Sequence, residues 1–305
     1  MSWARVVGLG RIESSIVQPI LGDAIEFIED PTEADLACAD GALVRAAYAM
    51  DRARIDAMPH LKVIARTGVG TDLVDVAYAR TRGIPVVITP GTNSVAVAEG
   101  VMAQLLHLVK RLGPLTRELR AGRWPASNAY PLGDLSGSTL GIIGFGRIGR
   151  IVTQYATALG MQALAYDPHA DIPPELRVHS LQELAARSDA LSLHVPLTEE
   201  TRNLINADLL RQCRRGVIII NCGRGGLIDL DAAEAALRDG SIGGLGLDVY
   251  EQEPPQHHPL FDHEHVVLTP HVMGLSKQAT VATYQAAAEG VRAVLEGRAP
   301  SAVAY

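Results

Sequence analysis

Short apolar runs recur along the first ninety residues, each bounded by Gly, Pro or acidic and amide residues. Val6–Leu9, Ala24–Ile28, Ala42–Arg45, Lys62–Arg66 and Val86–Thr89 read as strands. Asp51–Met58 and Asp72–Arg82 carry helical spacing between them, and Gly83 closes the second. This alternation predicts a parallel sheet joined by crossover helices. From Ser94, read as an N-cap, the residues Val97, Ala98, Val101, Met102, Leu105 and Leu108 form one apolar stripe. They predict a long interdomain helix that ends at Gly113-Pro114. Arg120–Ser138 contains Gly, Pro, Ser and Trp124 without a clean period, and reads as a surface loop.

A second series follows, with strands predicted at Thr139–Ile143, Gln162–Tyr166, Ala190–Val195, Val217–Asn221, Gly244–Val249 and Val266–Leu268. Two doubly wound α/β units are implied. The final helical stretch, Lys277–Glu296, lies beyond this series. Its return to the first unit would make the second an insertion, a choice that spacing leaves open.

A length of 305 residues exceeds what one core usually serves, in keeping with two domains. An apolar share of 48% with 20% charged residues is that of a globular chain, and no apolar run reaches membrane-spanning length. The segment Met1–Val7 lacks the basic head, apolar stretch and small-residue site of a secretory signal, so a cytoplasmic address is expected. Cys38, Cys213 and Cys222 are too scattered for a disulfide framework or a CxxC site, and read as reduced thiols in or near cores. A net charge of −7 argues against a nucleic-acid partner. An anionic substrate then needs a local cation.

The sequence Gly141-Ile142-Ile143-Gly144-Phe145-Gly146-Arg147-Ile148-Gly149 sets a GxGxxG pattern between an apolar strand and a helix. Gly144 permits the tight turn, Gly146 lets backbone approach a pyrophosphate, and Gly149 allows close helix–strand packing. Arg147 and Ile148 open the helix whose N–H groups face the phosphates. The next strand ends in Asp167, at the spacing of a ribose-binding carboxylate, which favours NAD over NADP because a carboxylate repels a 2′-phosphate. The alternative is a ligand-free glycine turn followed by a plain Asp-Pro turn.

Ligands of open α/β sheets sit beyond the carboxyl ends of strands. Arg224, Glu253 and His271 each follow a late strand. Reduction of a 2-oxo acid calls for a cation on the carboxylate and carbonyl oxygen, and for an acid that protonates the oxygen as hydride reaches carbon. A carboxylate beside an imidazole favours its protonated form and fixes its orientation, the part assigned to Glu253. Singly, each residue has an ordinary structural reading. Their joint placement downstream of a dinucleotide motif makes a catalytic set.

At these residues the chain resembles the NAD-dependent D-isomer-specific 2-hydroxyacid dehydrogenases. The likeness runs through Lys62–Pro90, the GFGRIG turn, His194–Leu197, NCGRGGLID at Asn221–Asp229, LDVYEQEPP at Leu247–Pro255, and LTPH at Leu268–His271. It implies hydride transfer between NAD(H) and a small D-2-hydroxy or 2-oxo carboxylate. Arg224 then orients the substrate, and His271 is the general acid/base paired with Glu253. It implies a homodimer, with an NAD-binding Rossmann domain over residues 95–275 inserted into a flavodoxin-like substrate domain formed by 1–94 and 276–305. It also implies that His194, Pro196, Thr201 and Cys222 line the cofactor pocket, with Asp248 on the carboxamide and Gly274 beside the nicotinamide. Backbone N–H groups of Gly68, Val69 and Gly70 are expected to cradle the substrate carboxylate. One departure is His271-Val272-Met273-Gly274, where the family commonly has two glycines after the histidine; Met273 is expected to narrow or line the pocket.

Two other readings compete. A non-catalytic NAD sensor resembling the family's corepressors would bind NADH without turnover. A formate- or phosphite-type dehydrogenase fits Asn93, although such relatives carry glutamine at the position of Glu253. The cluster His257, His258, His263 and His265 with Asp262 and Glu264 fits no helical zinc spacing, so no metal is expected.

Overall fold

In the computed structural model, which describes residues 4–126 and 128–304, the chain divides into two compact units. One comprises Met1–Asn93 with Leu275–Tyr305, and the other Ser94–Gly274.

The first unit alternates β1 (Ala4–Leu9), α1 (Ser14–Leu21), β2 (Ile25–Ile28), α2 (Glu33–Ala37), β3 (Gly41–Val44), α3 (Arg52–Asp56), β4 (Val63–Arg66), α4 (Val76–Thr81) and β5 (Val86–Val87). Its sheet is wholly parallel in the order β2-β1-β3-β4-β5, the flavodoxin-like arrangement. Asp51 and Asp75 cap α3 and α4 with their carboxylates, so both helices start later than hydrophobic spacing alone places them. Cys38 ends α2 and is exposed, contrary to its expected place in or near a core. One face of the sheet packs Leu36, Met50, Ile55, Met58 and Ile84; the other packs Ile12, Val17 and Leu21 of the N-terminal segment.

The second unit begins with α5 (Ser94–Val109) and α6 (Leu112–Arg120). It continues through β6 (Thr139–Ile143), α7 (Arg147–Ala158), β7 (Gln162–Tyr166), α8 (Leu181–Arg187), β8 (Ala190–Leu193), α9 (Ala207–Leu210), β9 (Val217–Asn221), α10 (Leu230–Arg238), β10 (Ile242–Leu247) and β11 (Val266–Leu268). The parallel order is β11-β10-β9-β8-β6-β7, and Arg177 adds a parallel bridge to Ala165 outside β7. With that bridge counted as a vestigial strand, the sheet has the 3-2-1-4-5-6 order of dinucleotide-binding folds plus one further strand. The strand order reverses between β6 and β8, which places a crevice at the glycine turn.

α11 (Lys277–Leu295) completes the first unit, inserting Tyr284, Ala287, Ala288 and Val291 against Val6, Leu43, Val63 and Val87. Other local expectations fail: β8 stops at Leu193 rather than Val195, and β10 runs Ile242–Leu247 rather than Gly244–Val249. Ser94 is the first residue of α5 rather than a cap outside it. Gly113-Pro114 does not end that helix: Arg111 adopts a left-handed conformation at φ 51°, and both residues then lie in the first turn of α6. Proline is tolerated there because a first-turn N–H has no helical acceptor to lose. Thr89 lies outside β5, which pairs with β4 only at Val86 and Val87.

Candidate active site

The glycine turn joins β6 to α7. Gly144 has φ 96°, and a Cβ there would lie 2.7 Å from the carbonyl carbon and oxygen of His194, so the turn admits glycine alone. At Gly149 an added Cβ would strike the Gly144 carbonyl oxygen and approach Ile142 Cγ2 to 3.0 Å, which lets α7 pack tightly on β6. Gly146 differs, with nothing within 4 Å of where its Cβ would stand. It caps α7 and is exposed, as are Arg147 and, in part, Ile148. Open space over a glycine at the N-terminus of a twelve-residue helix fits a pyrophosphate.

Asp167 is bound to this turn. Its Oδ2 accepts the Phe145 amide at 2.8 Å, and its Oδ1 accepts those of His169 and Ala170 at 2.8 and 3.1 Å. A carboxylate offers about four acceptor positions. One thus remains for a ribose hydroxyl.

His194 follows β8, with its Nε2 2.9 Å from Ser192 Oγ. Burial pushes its imidazole down to about 4, so it is neutral near pH 7 and adds no charge to the pocket. The Thr201 hydroxyl donates to the Pro196 carbonyl at 2.6 Å and accepts the Thr198 amide at 2.8 Å, closing the 196–201 loop. The Cys222 thiol is pushed up by burial and by the nearby Asp248 carboxylate, and stays protonated.

Three loops at the carboxyl ends of β9, β10 and β11 carry the remaining chemistry. In the first, Asn221 is wholly buried; its Oδ1 accepts the Gly223 amide at 3.0 Å and its Nδ2 donates to the Arg224 carbonyl at 2.8 Å. This clamp sets the backbone of Arg224, whose guanidinium donates to the Gly223 carbonyl at 2.8 Å. Gly225 has no room for a side chain because the backbone of Tyr250 and Glu251 lies against it, which brings the Arg224 loop onto the segment leading to Glu253.

In the second loop, Glu253 Oε1 accepts the Tyr250 amide at 3.1 Å, while Oε2 lies 2.7 Å from His271 Nδ1. The pair is partly open, with side chains 39% and 44% exposed, so the imidazole can be reached from outside the unit. In the third loop His271 sits at φ 54°, a conformation unfavourable for a non-glycine residue. Asp248, 2% exposed, pins both flanks: Oδ1 accepts from the Thr269 hydroxyl at 2.7 Å and the Val272 amide at 2.9 Å, and Oδ2 accepts the Met273 amide at 3.0 Å. The Tyr250 hydroxyl donates to the Thr269 carbonyl at 3.1 Å. Half-buried Gly274 ends the unit.

The structure thus joins Glu253 and His271 directly and links the Arg224 loop to theirs by backbone packing. Sequence reasoning missed Asn221 as a clamp, and gave Asp248 only a cofactor contact where the structure shows it bracing the His271 turn. A polar residue closing an otherwise apolar strand was the available signal for both. Gly68, Val69 and Gly70 follow β4 in the other unit. There Gly68 has φ 146°, and none of the three amides donates a hydrogen bond among the described residues. The histidine cluster resolves into pairs, His257 with Asp262, His258 with Asp231 and His265 with Glu264. Among the described residues no group of three or more ligands is placed to hold a metal.

The family model described as D-isomer specific 2-hydroxyacid dehydrogenase, NAD binding domain, matches residues 102–273. The D-3-phosphoglycerate dehydrogenase of Methanocaldococcus jannaschii is 37% identical over 302 residues, covering 92% of this chain and 57% of that protein. The chain therefore spans little more than half the length of that relative. The hydroxypyruvate reductase of Thermotoga maritima is 40% identical over 246 residues, 79% of each chain. Among solved structures, the TT0316 protein of Thermus thermophilus superposes with a TM-score of 0.90 at 35% identity, covering 98% of this chain and 99% of that one.

Proposed function

Since the chain belongs to the D-isomer specific 2-hydroxyacid dehydrogenase family and contains its NAD-binding domain, we propose that it interconverts a small 2-oxo carboxylate and the corresponding D-2-hydroxy acid. The observation that carries this reading is the 2.7 Å contact between His271 Nδ1 and Glu253 Oε2, at the strand ends of the sheet that also bears the glycine turn.

NADH, when bound, supplies the hydride that reaches C2 of the 2-oxo acid. As the carbonyl π electrons move to oxygen, His271 delivers a proton to that oxygen from Nε2, while Nδ1 stays hydrogen-bonded to Glu253. Arg224 draws the carboxylate and the polarised carbonyl oxygen toward its guanidinium, favouring the charge that develops during transfer. The free amides of Gly68, Val69 and Gly70 are suited to the substrate carboxylate, as an anion-binding nest. Gly146, with Arg147 and Ile148 at the start of α7, takes the pyrophosphate on the turn that Gly144 and Gly149 make possible. Asp167 takes the ribose, His194, Pro196, Thr201 and Cys222 the pocket wall, and Asp248 and Gly274 the nicotinamide side.

The test is an NADH-oxidation screen over glyoxylate, pyruvate, hydroxypyruvate, its phosphorylated form, phenylpyruvate and sulfopyruvate. Turnover of at least one acid is expected. Tight NADH binding by a folded protein that turns over none would support the sensor reading, and activity confined to formate or phosphite the other alternative.

A homodimer working in the cytoplasm completes the proposal. Leu119, Trp124 and Leu132 stand 55%, 88% and 57% exposed along one stretch, apolar surface of the kind that a second copy would cover. Light scattering should report a dimer for the native chain and a monomer for Leu119→Asp/Trp124→Asp.

A further inference from the structure

We propose that α5 positions the His271 turn for catalysis, through a notch at Gly100 filled by Met273 and a hydrogen bond from Gln104 to Thr269 one helical turn further on. The inference rests on the reading of His271 as the general acid.

Gly100 lies buried in the interior of a sixteen-residue helix, where glycine is ordinarily unfavourable. A Cβ at this position would stand 2.5 Å from Met273 Sδ and 2.7 Å from its Cβ and Cγ. The thioether chain therefore occupies the space that any other residue at 100 would need. Four residues on, on the same helix face, buried Gln104 donates from Nε2 to Thr269 Oγ1 at 3.1 Å. The helix thus holds both ends of the turn, Thr269 and Met273, with His271 at its centre.

That residue keeps φ 54° with one local hydrogen bond, from its amide to the Thr269 carbonyl at 3.1 Å. An unfavourable backbone persists only where its surroundings impose it. Asp248 imposes it from the strand side and α5 from the helix side. Met273 is thereby a positioning residue whose partner is a missing side chain, so the two positions function only as a pair.

A double-mutant cycle with Gly100→Ala and Met273→Gly tests this. Gly100→Ala alone should lower kcat about 10- to 100-fold through misplacement of the imidazole, with the NADH dissociation constant held within about twofold. In the Met273→Gly background the same change should cost less than about threefold, because the clash is gone. Equal losses in both backgrounds, or no loss in the native one, would overturn the proposal. Helix propensity alone cannot mimic the expected result, since alanine favours a helix over glycine. The downfield proton resonance of the His271–Glu253 hydrogen bond supplies a readout independent of turnover. It should shift in Gly100→Ala and return in the double variant, and an unshifted signal overturns the positioning role even if no substrate is found. Should Gly100→Ala fail to fold, Gln104→Met removes the donor to Thr269 at similar volume. Lower kcat with unchanged NADH affinity is then expected, and unchanged kcat overturns the role of α5.

Discussion

The two units place polar groups beyond the carboxyl ends of their strands by opposite means. In the NAD-binding unit the groups are side chains, and each is braced by a buried polar side chain: Arg224 through Asn221 and His271 through Asp248, with the partly open Glu253 holding the imidazole itself. In the other unit the 67–70 segment offers backbone, with exposed Val69 between two glycines. Its support is Arg66, only 4% exposed, which donates from Nε to the Gly70 carbonyl at 2.8 Å and from a terminal nitrogen to the Val44 carbonyl at 3.2 Å. Side-chain chemistry can be removed by one substitution. A backbone donor cannot, so the second region is open to mutation only through its scaffold.

The largest effect that this contrast predicts is at the acid itself. His271→Ala should lower kcat by about 10²- to 10⁴-fold while NADH still binds, as read by steady-state kinetics beside a fluorescence titration. Native-like turnover would remove the residue from the role. Arg224→Ala comes next, with kcat/KM down roughly 10- to 150-fold through loss of charge-assisted hydrogen bonds. Both kcat and KM should suffer, and Arg224→Lys should recover only part, lacking the planar fork.

For the backbone-built region, Arg66→Met takes the donor from the Gly70 carbonyl, while the Val44 carbonyl keeps the Thr67 amide, and should destabilise the chain by about 1–3 kcal/mol. There KM for the 2-oxo acid should rise by more than kcat falls. A kcat loss at constant KM would break the assignment of that loop to substrate binding.

The smallest effect concerns pH. His194 is held down to about 4 against an ordinary 6.5, so between these values the unfolded chain binds the extra proton. Stability is therefore full above about pH 6.5 and declines as pH falls toward 4, by at most about 2–3 kcal/mol from this group. Urea titrations at pH 7 and 4.5 should show a smaller acid loss in His194→Gln than in the native chain. An identical loss in the two proteins would contradict it.

Much of this arrangement was legible in the residues. Apolar runs such as Val217–Asn221 and Thr139–Ile143 coincide with β9 and β6, because strands buried on both faces admit little else. The glycine turn was legible since each glycine answers a distinct steric demand at a spacing that can be read from the chain. Helix α6 escaped notice because a Gly-Pro pair serves as a stop just past a helix as well as a start within its first turn, and only the backbone of Arg111 shows which applies. Arg66 and Gln104 escaped for another reason. A lone polar residue in an amphipathic pattern reads as solvent-facing, and nothing local reveals that a carbonyl or a hydroxyl from a distant segment is waiting for it. The seat of Met273 on Gly100 likewise depends on two positions far apart in the chain.

The split of the first unit into Met1–Asn93 and Leu275–Tyr305 sets an order of assembly. Translation delivers every residue of the inserted unit before α11, which brings Tyr284, Ala287 and Val291 to the core of the first. Until that helix emerges from the ribosome, one face of the sheet β2-β1-β3-β4-β5 is covered by α1 alone, which leaves Val6, Leu43 and Val63 without the side chains of α11 that pack on them. The nascent chain is thus most vulnerable to aggregation while its NAD-binding portion is already complete.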